Sequence, residues 1–247
     1  MIAYKPIRLA AVFTTAAILA ILWTSLTAGA QALSVLPVNI FLPPGQMATS
    51  LTVTNAGKSE TAIQIRVFAW NQKGDDDPLT ATENVLLSPP IATIAPGSSQ
   101  VIRIILRMPA EYREATYRIL VDQIPPPAEP GVVHMVLRLS IPIFVQPSTR
   151  SFPDVQFHVE RNAGQIDLVA INTGNLHEAI RDIVLTTSDG RKLKADTRTS
   201  PYILAGATRR WHMDVQDSLP PPNESLRLTA HSNAGAIDQQ VRVVAAQ

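Results

Sequence analysis

The chain lacks cysteine and has few aromatic residues, and both absences exclude functions before any motif is considered. Without a thiol there can be neither a disulfide framework nor a cysteine nucleophile. Aromatic residues make up 5% of the chain, too few to favour a sugar-binding module that stacks rings on exposed side chains. The fold must therefore be held by packing alone, and 247 residues suit one large domain or two ordinary ones.

Catalytic and metal-binding patterns are also missing. The five histidines are scattered, and His177, in the run HEAIR, lacks the second histidine of a zinc-protease helix. No serine stands in a G-x-S-x-G setting, and no glycine loop could cradle a phosphate. Asp75–Asp77 lacks the spacing of an EF-hand loop and is interpreted as a solvated hairpin tip. We therefore expect no enzymatic activity, no metal and no cofactor.

The first 32 residues have the pattern of a secretory signal. Lys5 and Arg8 precede the apolar run Leu9–Leu26, and Ala30–Ala32 offers an A-x-A cleavage site. An uncleaved membrane anchor is the alternative, which the cleavage site disfavours. Removal of residues 1–32 leaves 215 residues with a formal charge of −1 and no basic cluster, which argues against nucleic acid as a partner.

Short strands separated by glycine and proline turns fill the rest of the chain. Up to Pro147 they number about seven at 8–12-residue spacing, which is typical of an immunoglobulin-like sandwich. Gln146–Arg150 has the composition of a linker, and a second series of strands follows it. The sequence predicts an all-β protein of two tandem β-sandwiches, an N-terminal domain over 33–147 and a C-terminal domain over 151–247.

One strand, within Val132–Pro147, is longer than a small domain needs. Its apolar residues occupy every second position: Val133, Met135, Leu137, Leu139, Ile141, Ile143 and Val145. Since a typical strand has about 5–6 residues, part of this one is expected to extend past its own domain. A long apolar edge promotes aggregation, so we expect it to pair with another chain. The alternative is a central strand buried on one face of its own sheet.

Several segments resemble the PapD-like periplasmic pilus chaperones of the chaperone–usher pathway. The strongest are Arg113-Glu114 leading into YRILVDQIPP at 117–126, and LRLSIPIFVQP at 137–147. The segments VAINTGN and YILAGATRRW are similar to the archaic, spore-coat-like branch. The resemblance implies two sandwiches in an L arrangement and a non-enzymatic chaperone located in the periplasm. It also implies two partners, a pilus subunit that lacks its final strand and an outer-membrane usher that receives the subunit.

In such chaperones the last long strand of the first domain is lent to the subunit, by strand addition. Carried over position by position, the lent side chains are Val133, Met135, Leu137, Leu139 and Ile141. Because Pro142 cannot donate a ladder hydrogen bond, the donated segment is expected to stop near Ile141, with Ile143–Pro147 turning into the domain junction. An exposed apolar edge also favours self-association of the free protein.

The chain departs from the family at polar positions of the cleft. In the adhesive-pilus branch an arginine and a lysine hold the subunit's terminal carboxylate, and these positions align with Asn39 and Pro142 here. The family's interdomain glutamate is retained as Glu114. Its usual arginine partner aligns with Gln146, so the interdomain salt bridge is not expected in its usual form.

A carboxylate that enters a partly dry cleft still needs positive charge or hydrogen-bond donors. Our candidate anchor is Arg118, because its strand should lie beside the lent one. Arg66 and Arg103 are weaker candidates, since each could equally be a solvated strand residue.

Two other classes of function stay open on the sequence alone. A two-domain adhesin or surface structural protein would bury residues 133–141 in its own core and fold as a stable monomer. A hydrolase or carbohydrate-binding module on a β-sandwich would need an acid–base pair or exposed aromatic residues, and neither is evident.

Overall fold

The computed structural model describes residues 33–74, 76–127, 131, 135–162, 164–196, 199–215 and 218–245. The predicted signal segment and Val133 lie outside these ranges. The described part of the chain contains nineteen strands and no helix, which confirms the all-β prediction. Two large hydrophobic cores divide the strands into two immunoglobulin-like sandwiches, also as predicted.

The first sandwich contains strands β1 to β10. In chain order they are Leu33–Leu36, Ile40–Leu42, Ala48–Asn55, Thr61–Trp70, Leu79–Ala81, Val85–Ser88, Ile91–Ile94, Ser99–Leu106, Ala115–Ile124 and Arg138–Val145. One sheet has the order β1-β3-β8-β6. The second sheet has the order β2-β10-β9-β4-β5, and β7 also pairs with β4.

Alternation along the strands builds the core between these two sheets. Ile63 and Ile65 of β4 point inward, as do Ile119 and Val121 of β9. Their even-numbered neighbours form the outer face of the second sheet. Full burial of one such aliphatic side chain contributes ~1.5–3 kcal/mol, so the period-2 pattern itself holds the two sheets together.

The second sandwich contains strands β11 to β19. In chain order they are Val155–Asn162, Gln165–Asn172, Glu178–Ala179, Arg181–Thr186, Lys192–Ala195, Tyr202–Ile203, Thr208–Asp214, Ser225–Ser232 and Gly235–Ala245. Seven of them close a hydrogen-bonded ring, β11-β12-β17-β15-β14-β18-β19. The ring closes because the short β15 pairs with both β14 and β17, while β11 pairs in parallel with β19. β13 and β16 pair only with each other.

A small third cluster joins the two sandwiches. Trp70 and Phe144 lie on the outer face of the second sheet, and they pack against Leu204, Ala207 and Tyr202 of the second sandwich. Trp70 and Phe144 are almost fully buried there. The cleft between the sandwiches therefore begins directly beside the residues that precede Phe144 on β10.

Candidate functional site

Strand β10 is paired along its whole length on one side only. β9 pairs with it antiparallel from Arg138 to Val145. On the opposite side β2 pairs with it in parallel, but only from Ile143 to Val145. No described residue pairs with the β2 side of Arg138–Pro142, and we call this side of β10 the free edge.

Backbone hydrogen bonds at the two ends of β10 show which residues face the free edge. The amide of Gln123, on β9, donates to Leu137 O at 2.9 Å, so odd-numbered residues bond to β9. The amide of Gln146 donates to Leu42 O at 2.9 Å, so even-numbered residues point toward β2. The amides of Arg138 and Ser140 are therefore directed at the free edge, where another strand could accept them.

Pro142 does not end the strand: Phe144 packs at the domain junction, as expected for Ile143–Pro147, but it does so as part of β10. β10 continues through Pro142 to Val145. Pro142 is an even-numbered residue, so its missing amide faces the free edge and removes no hydrogen bond to β9. Proline is tolerated in a strand where its nitrogen faces away from the ladder.

The lent side chains predicted from the sequence divide into two groups. Met135 and Leu137 are 90% and 39% exposed and stand outside the core. Leu139 packs against the first core, and Ile141, only 3% exposed, belongs to it. Ile141, which was assigned to a partner's core, is thus already used by this chain's own core. The outermost predicted residue, Val133, lies outside the described residues.

β10 begins at Arg138, later than the alternation predicts, because the neighbouring strand ends. Continuing the register of β9 and β10 places Met135 opposite Pro125, the first residue of Pro125–Pro127, which cannot donate hydrogen bonds. The amide of Leu137 instead donates to the side-chain Oε1 of Gln123 at 3.3 Å. Met135–Leu137, which we call the lent segment, therefore lies before the regular β9–β10 ladder, although Leu137 O still accepts the Gln123 amide.

Sequence reasoning missed two exposed apolar residues near this edge. Leu36 and Val38 lie where the chain crosses from β1, in one sheet, to β2, in the other, and both are mostly exposed. By its sequence, LSVLPVNIFL, the segment Leu33–Leu42 is expected to be one extended piece. Its alternation carries no signal for a change of sheet, so the exposure of these side chains could not be inferred.

Arg118 lies in one row with Asn39 and Pro142, the two positions at which the adhesive-pilus branch has an arginine and a lysine. Arg118 is opposite Pro142 in the register, and Asn39 immediately precedes Ile40, which is opposite Ile143. The Arg118 guanidinium stacks 3.8 Å from the Trp70 ring and donates to Ser140 Oγ at 3.4 Å. Among the described residues, no carboxylate forms an ion pair with it. Burial lowers the pKa of this guanidinium, an effect that nearby Asp77 opposes.

The two weaker anchor candidates lie elsewhere. Arg66, on β4, forms an ion pair with Asp122 at 2.7 Å. Arg103 is on β8, in the opposite sheet, and is exposed on its outer face. Of the three arginines, only Arg118 stands at the cleft, because it reaches both Trp70 and, at 6.0 Å, the ring of Tyr202.

Glu114 reaches the second sandwich, but through His177 and not Gln146. Glu114 Oε2 accepts hydrogen bonds from the His177 amide at 2.9 Å and lies 2.7 Å from His177 Nδ1. Both side chains are buried, and the His177 ring stacks 3.6 Å from the ring of Phe144. His177, one of the five scattered histidines of the sequence, is therefore part of the domain junction.

Asp77 also lies at the junction, so the interpretation of its loop as a solvated tip is wrong for this residue. Its carboxylate accepts hydrogen bonds from Arg209 Nη2 at 2.5 Å and from Trp70 Nε1 at 3.1 Å. Arg209 is fully buried in the second sandwich. The side chain of Gln72, in the same loop, bonds the backbone of Tyr202 and Leu204, both at 2.9 Å. Local sequence offered no signal for these long-range pairs.

The described residues contain no group of three or more histidines and acidic residues arranged to hold a metal ion. None of them forms a helix long and apolar enough to cross a bilayer. The free edge presents the amides of Arg138 and Ser140, with the exposed Met135 and Leu137 at one end and the Arg118 guanidinium at the other.

Comparison with known proteins identifies the family. Residues 32–150 match the pili and flagellar-assembly chaperone family, PapD N-terminal domain. The probable fimbrial chaperone EcpB of Escherichia coli O18:K1:H7 (strain IHE3034 / ExPEC) is 26% identical over 202 residues, which cover 76% of this chain and 85% of that protein.

Solved structures show the same two-sandwich fold. In the CsuC–CsuE chaperone–tip adhesion subunit complex of archaic Csu pili from Acinetobacter baumannii, the matching chain is 21% identical, with a TM-score of 0.62 over 87% of this chain and 100% of that one. In the complex of Salmonella enterica SafA pilin with the SafB chaperone, identity is 14% and the TM-score 0.60, over 86% of this chain and 97% of that one. The family match, the sequence resemblance and the free edge of β10 agree, and residues 32–150, the N-terminal sandwich, belong to the PapD-like family of pilus chaperones.

Proposed function

We propose that this protein binds, folds and caps pilus subunits by donor-strand complementation and delivers them to an outer-membrane usher. The observation that carries this function is the free edge of β10, flanked by the exposed lent segment. A soluble sandwich normally covers or charges such an edge. Here apolar side chains and unpaired amides are presented together, which is the surface that a strand-deficient partner requires. The role is non-enzymatic.

Residues on both sides of Arg138 contribute to binding in different ways. The amides of Arg138 and Ser140 offer hydrogen bonds to an incoming strand. Met135 and Leu137 offer side chains that a subunit's open core can bury, at about 1.5–3 kcal/mol for each side chain fully buried. Val133 is proposed as a third such residue. Ile141 is buried in the core of this chain, so the side chains left for the subunit's core are those that precede Leu139.

Arg118 is proposed to hold the subunit's terminal carboxylate. The amides on the free edge end at Ser140, because Pro142 has none, and a strand added there ends beside the row of Asn39, Pro142 and Arg118. A charge-assisted hydrogen bond in a partly desolvated cleft contributes about 1.5–3 kcal/mol. A guanidinium without a carboxylate partner among the described residues is the group suited to receive that charge.

The proposed location is the periplasm, to which the predicted cleaved signal over residues 1–32 would direct the chain. Fimbrial chaperones of this family are periplasmic. The exposed lent segment further predicts self-association of the free protein, because an unpaired apolar edge can pair with a second copy.

The first test is to isolate the carboxyl-tagged protein from the periplasm of its host and identify what co-purifies. We expect a stoichiometric, small β-rich subunit with wild type and none with Leu137→Arg, because a charge would then enter the subunit's core. Val101→Arg is the matched control, since Val101 is exposed on the outer face of the other sheet. It should capture the subunit normally.

Met135→Arg is a second charged variant of the lent segment that is expected to fold. Met135 is almost fully exposed and cannot be required by the protein's own core. If wild type is recovered alone, or if Met135→Arg and Leu137→Arg both capture the subunit at wild-type levels, strand lending is not the function. A Leu137→Arg variant that unfolds while wild type is recovered alone would favour an adhesin or structural protein.

The anchor is tested in the same assay with Arg118→Ala and Arg118→Lys. We expect roughly tenfold lower subunit affinity for Arg118→Ala, since about 1.4 kcal/mol corresponds to a factor of ten. Arg118→Lys should recover part of the loss because it keeps the charge. Full subunit recovery with Arg118→Ala would remove Arg118 as the anchor without affecting strand lending.

A further inference from the structure

The outer face of the second sheet carries an unbalanced set of charges. Even-numbered residues of β4, β9 and β10 form this face, because their odd-numbered neighbours enter the core. Among the described positions of these three strands it has three arginines, Arg66, Arg118 and Arg138, and one acidic residue, Asp122. We call the three arginines the arginine face. The chain beyond residue 32 has a formal charge of −1 as a whole, so this surface is a local excess of positive charge.

The carboxylate of Asp122 forms ion pairs with two of the three guanidinium groups. Asp122, whose side chain is only 15% exposed, accepts a hydrogen bond from Arg66 Nη2 at 2.7 Å and another from Arg138 Nε. Burial raises the pKa of Asp122, but the hydrogen bonds from Arg138 and Arg66 hold it below its usual range. The side chains of Arg138 and Arg66 remain 62% and 41% exposed, so each has surface left to contact another group.

The arginine face borders the proposed binding edge along its whole length. Arg138 is the first residue of β10 and directly follows the lent segment. Arg118 lies at the other end, opposite Pro142 at the cleft. A strand added at the free edge would lie three strand spacings from Arg66, about 14 Å at ~4.8 Å per strand. That distance exceeds the Debye length of about 8 Å at physiological ionic strength, so Arg66 contributes mainly by holding Asp122, and Arg138 and Arg118 carry the charge nearest to the added strand.

We propose that the arginine face is an electrostatic docking surface that attracts an acidic segment of the subunit and holds it beside the strand added to β10. This inference rests on the proposed function and adds the chemistry of the partner: side-chain carboxylates, besides the terminal one, near the subunit's pairing strand. Complementary charge mainly accelerates association and selects partners. A chaperone that must capture a subunit before it aggregates gains from fast association.

A role of the arginine face in stabilising the fold alone explains fewer of these observations. An ion pair with exposed members contributes about 0–1 kcal/mol, and one arginine would suffice to neutralise Asp122. The second arginine and the unpaired Arg118 leave net positive charge next to the free edge. In addition, Arg66 Nε is buried and has no hydrogen-bond partner among the described residues, which is not the arrangement of a network completed within the chain.

The test compares two variants that break the same ion pair but change the surface charge in opposite directions. Arg138→Gln lowers the positive charge, and Asp122→Asn raises it. The probe is the subunit released by denaturant from the purified wild-type complex, with its association rate measured by stopped-flow at several salt concentrations. We expect association roughly threefold slower with Arg138→Gln and roughly threefold faster with Asp122→Asn, with shallower and steeper salt dependence respectively.

Arg103→Gln is the control, because it removes one positive charge from the opposite sheet. It should leave the association rate within the error of wild type, and circular dichroism should show all three variants folded. If Arg138→Gln and Asp122→Asn change the rate in the same direction, or not at all, the ion pair is structural and the docking surface is refuted. Capture by wild type in that case leaves the proposed function intact. If wild type captures no subunit, both proposals fail.

Discussion

The two sandwiches treat their sheet edges in opposite ways. In the second, β11 to β19 close a ring in which seven strands have neighbours on both sides. In the first, β10 has a free edge over Arg138–Pro142, next to the exposed Met135 and Leu137. Closure is the general means of removing a dangerous edge. Since this chain uses closure in one sandwich, the open edge of the other is a retained feature and not a property of the architecture.

The same two sandwiches share one internal device. Asn55 ends β3 and Asn172 ends β12, each in an Asn-x-Gly turn with a buried side chain. Each Oδ1 accepts the amide of the glycine two residues on, and each Nδ2 donates to the carbonyl four residues on. The two sandwiches therefore form this turn with the same hydrogen bonds, although their sheet edges differ.

Substitution of these two asparagines is expected to lower the free energy of unfolding most, and it compares the same turn in the two sandwiches. Asn55→Ala leaves two carbonyls and one amide without their partner. Asn172→Ala leaves three carbonyls and two amides, including Asp154 N. Since an unsatisfied buried group costs about 1–3 kcal/mol, with partial recovery by water, we expect losses of about 2 and 3 kcal/mol. Urea unfolding followed by tryptophan fluorescence measures both.

Exposed asparagines in each sandwich provide controls for this prediction. Asn71→Ala and Asn162→Ala should change the free energy of unfolding by less than about 0.5 kcal/mol. A larger loss for Asn55→Ala than for Asn172→Ala would contradict the ranking, and with it the idea that the number of satisfied groups sets the cost of each turn.

A substitution at the domain junction, with a smaller expected effect, tests whether the two sandwiches stabilise each other. Asp77→Ala removes the partner of buried Arg209 and the acceptor for Trp70 Nε1. Breaking a buried pair costs about 3–5 kcal/mol. Asp77 is partly exposed and Arg209 keeps its bond to Tyr202 O, so we expect about 2 kcal/mol, measured as a lower thermal midpoint of the whole protein.

Asp76→Ala is the matched control, because Asp76 is the exposed neighbour in the same loop. It should leave the midpoint within about one degree, as surface substitutions usually do. Equal midpoints for Asp77→Ala and wild type would mean that the junction does not stabilise the sandwiches, which would then have to be treated as independent domains.

Much of the fold could be predicted because its signals are local. The strands Thr61–Trp70 and Gln165–Asn172 show the period-2 alternation and the flanking turn residues by which a strand is recognised from neighbouring positions alone. The excess length around 132–147 likewise indicated an unusual edge. The start of β10 at Arg138 could not be predicted, because it depends on β9 ending at Ile124, directly before Pro125.

Half of the candidate site could be predicted and half could not. Glu114 was found through resemblance and lies at the domain junction, and Arg118 was found from the expected place of its strand beside the lent one and lies at the cleft. His177 was missed as the partner of Glu114, 63 residues away, and so was Asp77 as the partner of Arg209, 132 residues away. A residue's neighbours across a domain junction leave no periodic signal in its own segment.

By itself, the sequence determined that this is a cysteine-free, all-β protein with a strand too apolar and too long for one sandwich. These properties follow from composition and from a two-residue period, which act over a few residues. The tertiary structure alone decided which side of β10 is open, that Ile141 stays in its own core while Leu137 does not, and that Arg66 and Arg138 share Asp122. Those outcomes depend on strand register and on which strands end first, and only the packed sheet sets both.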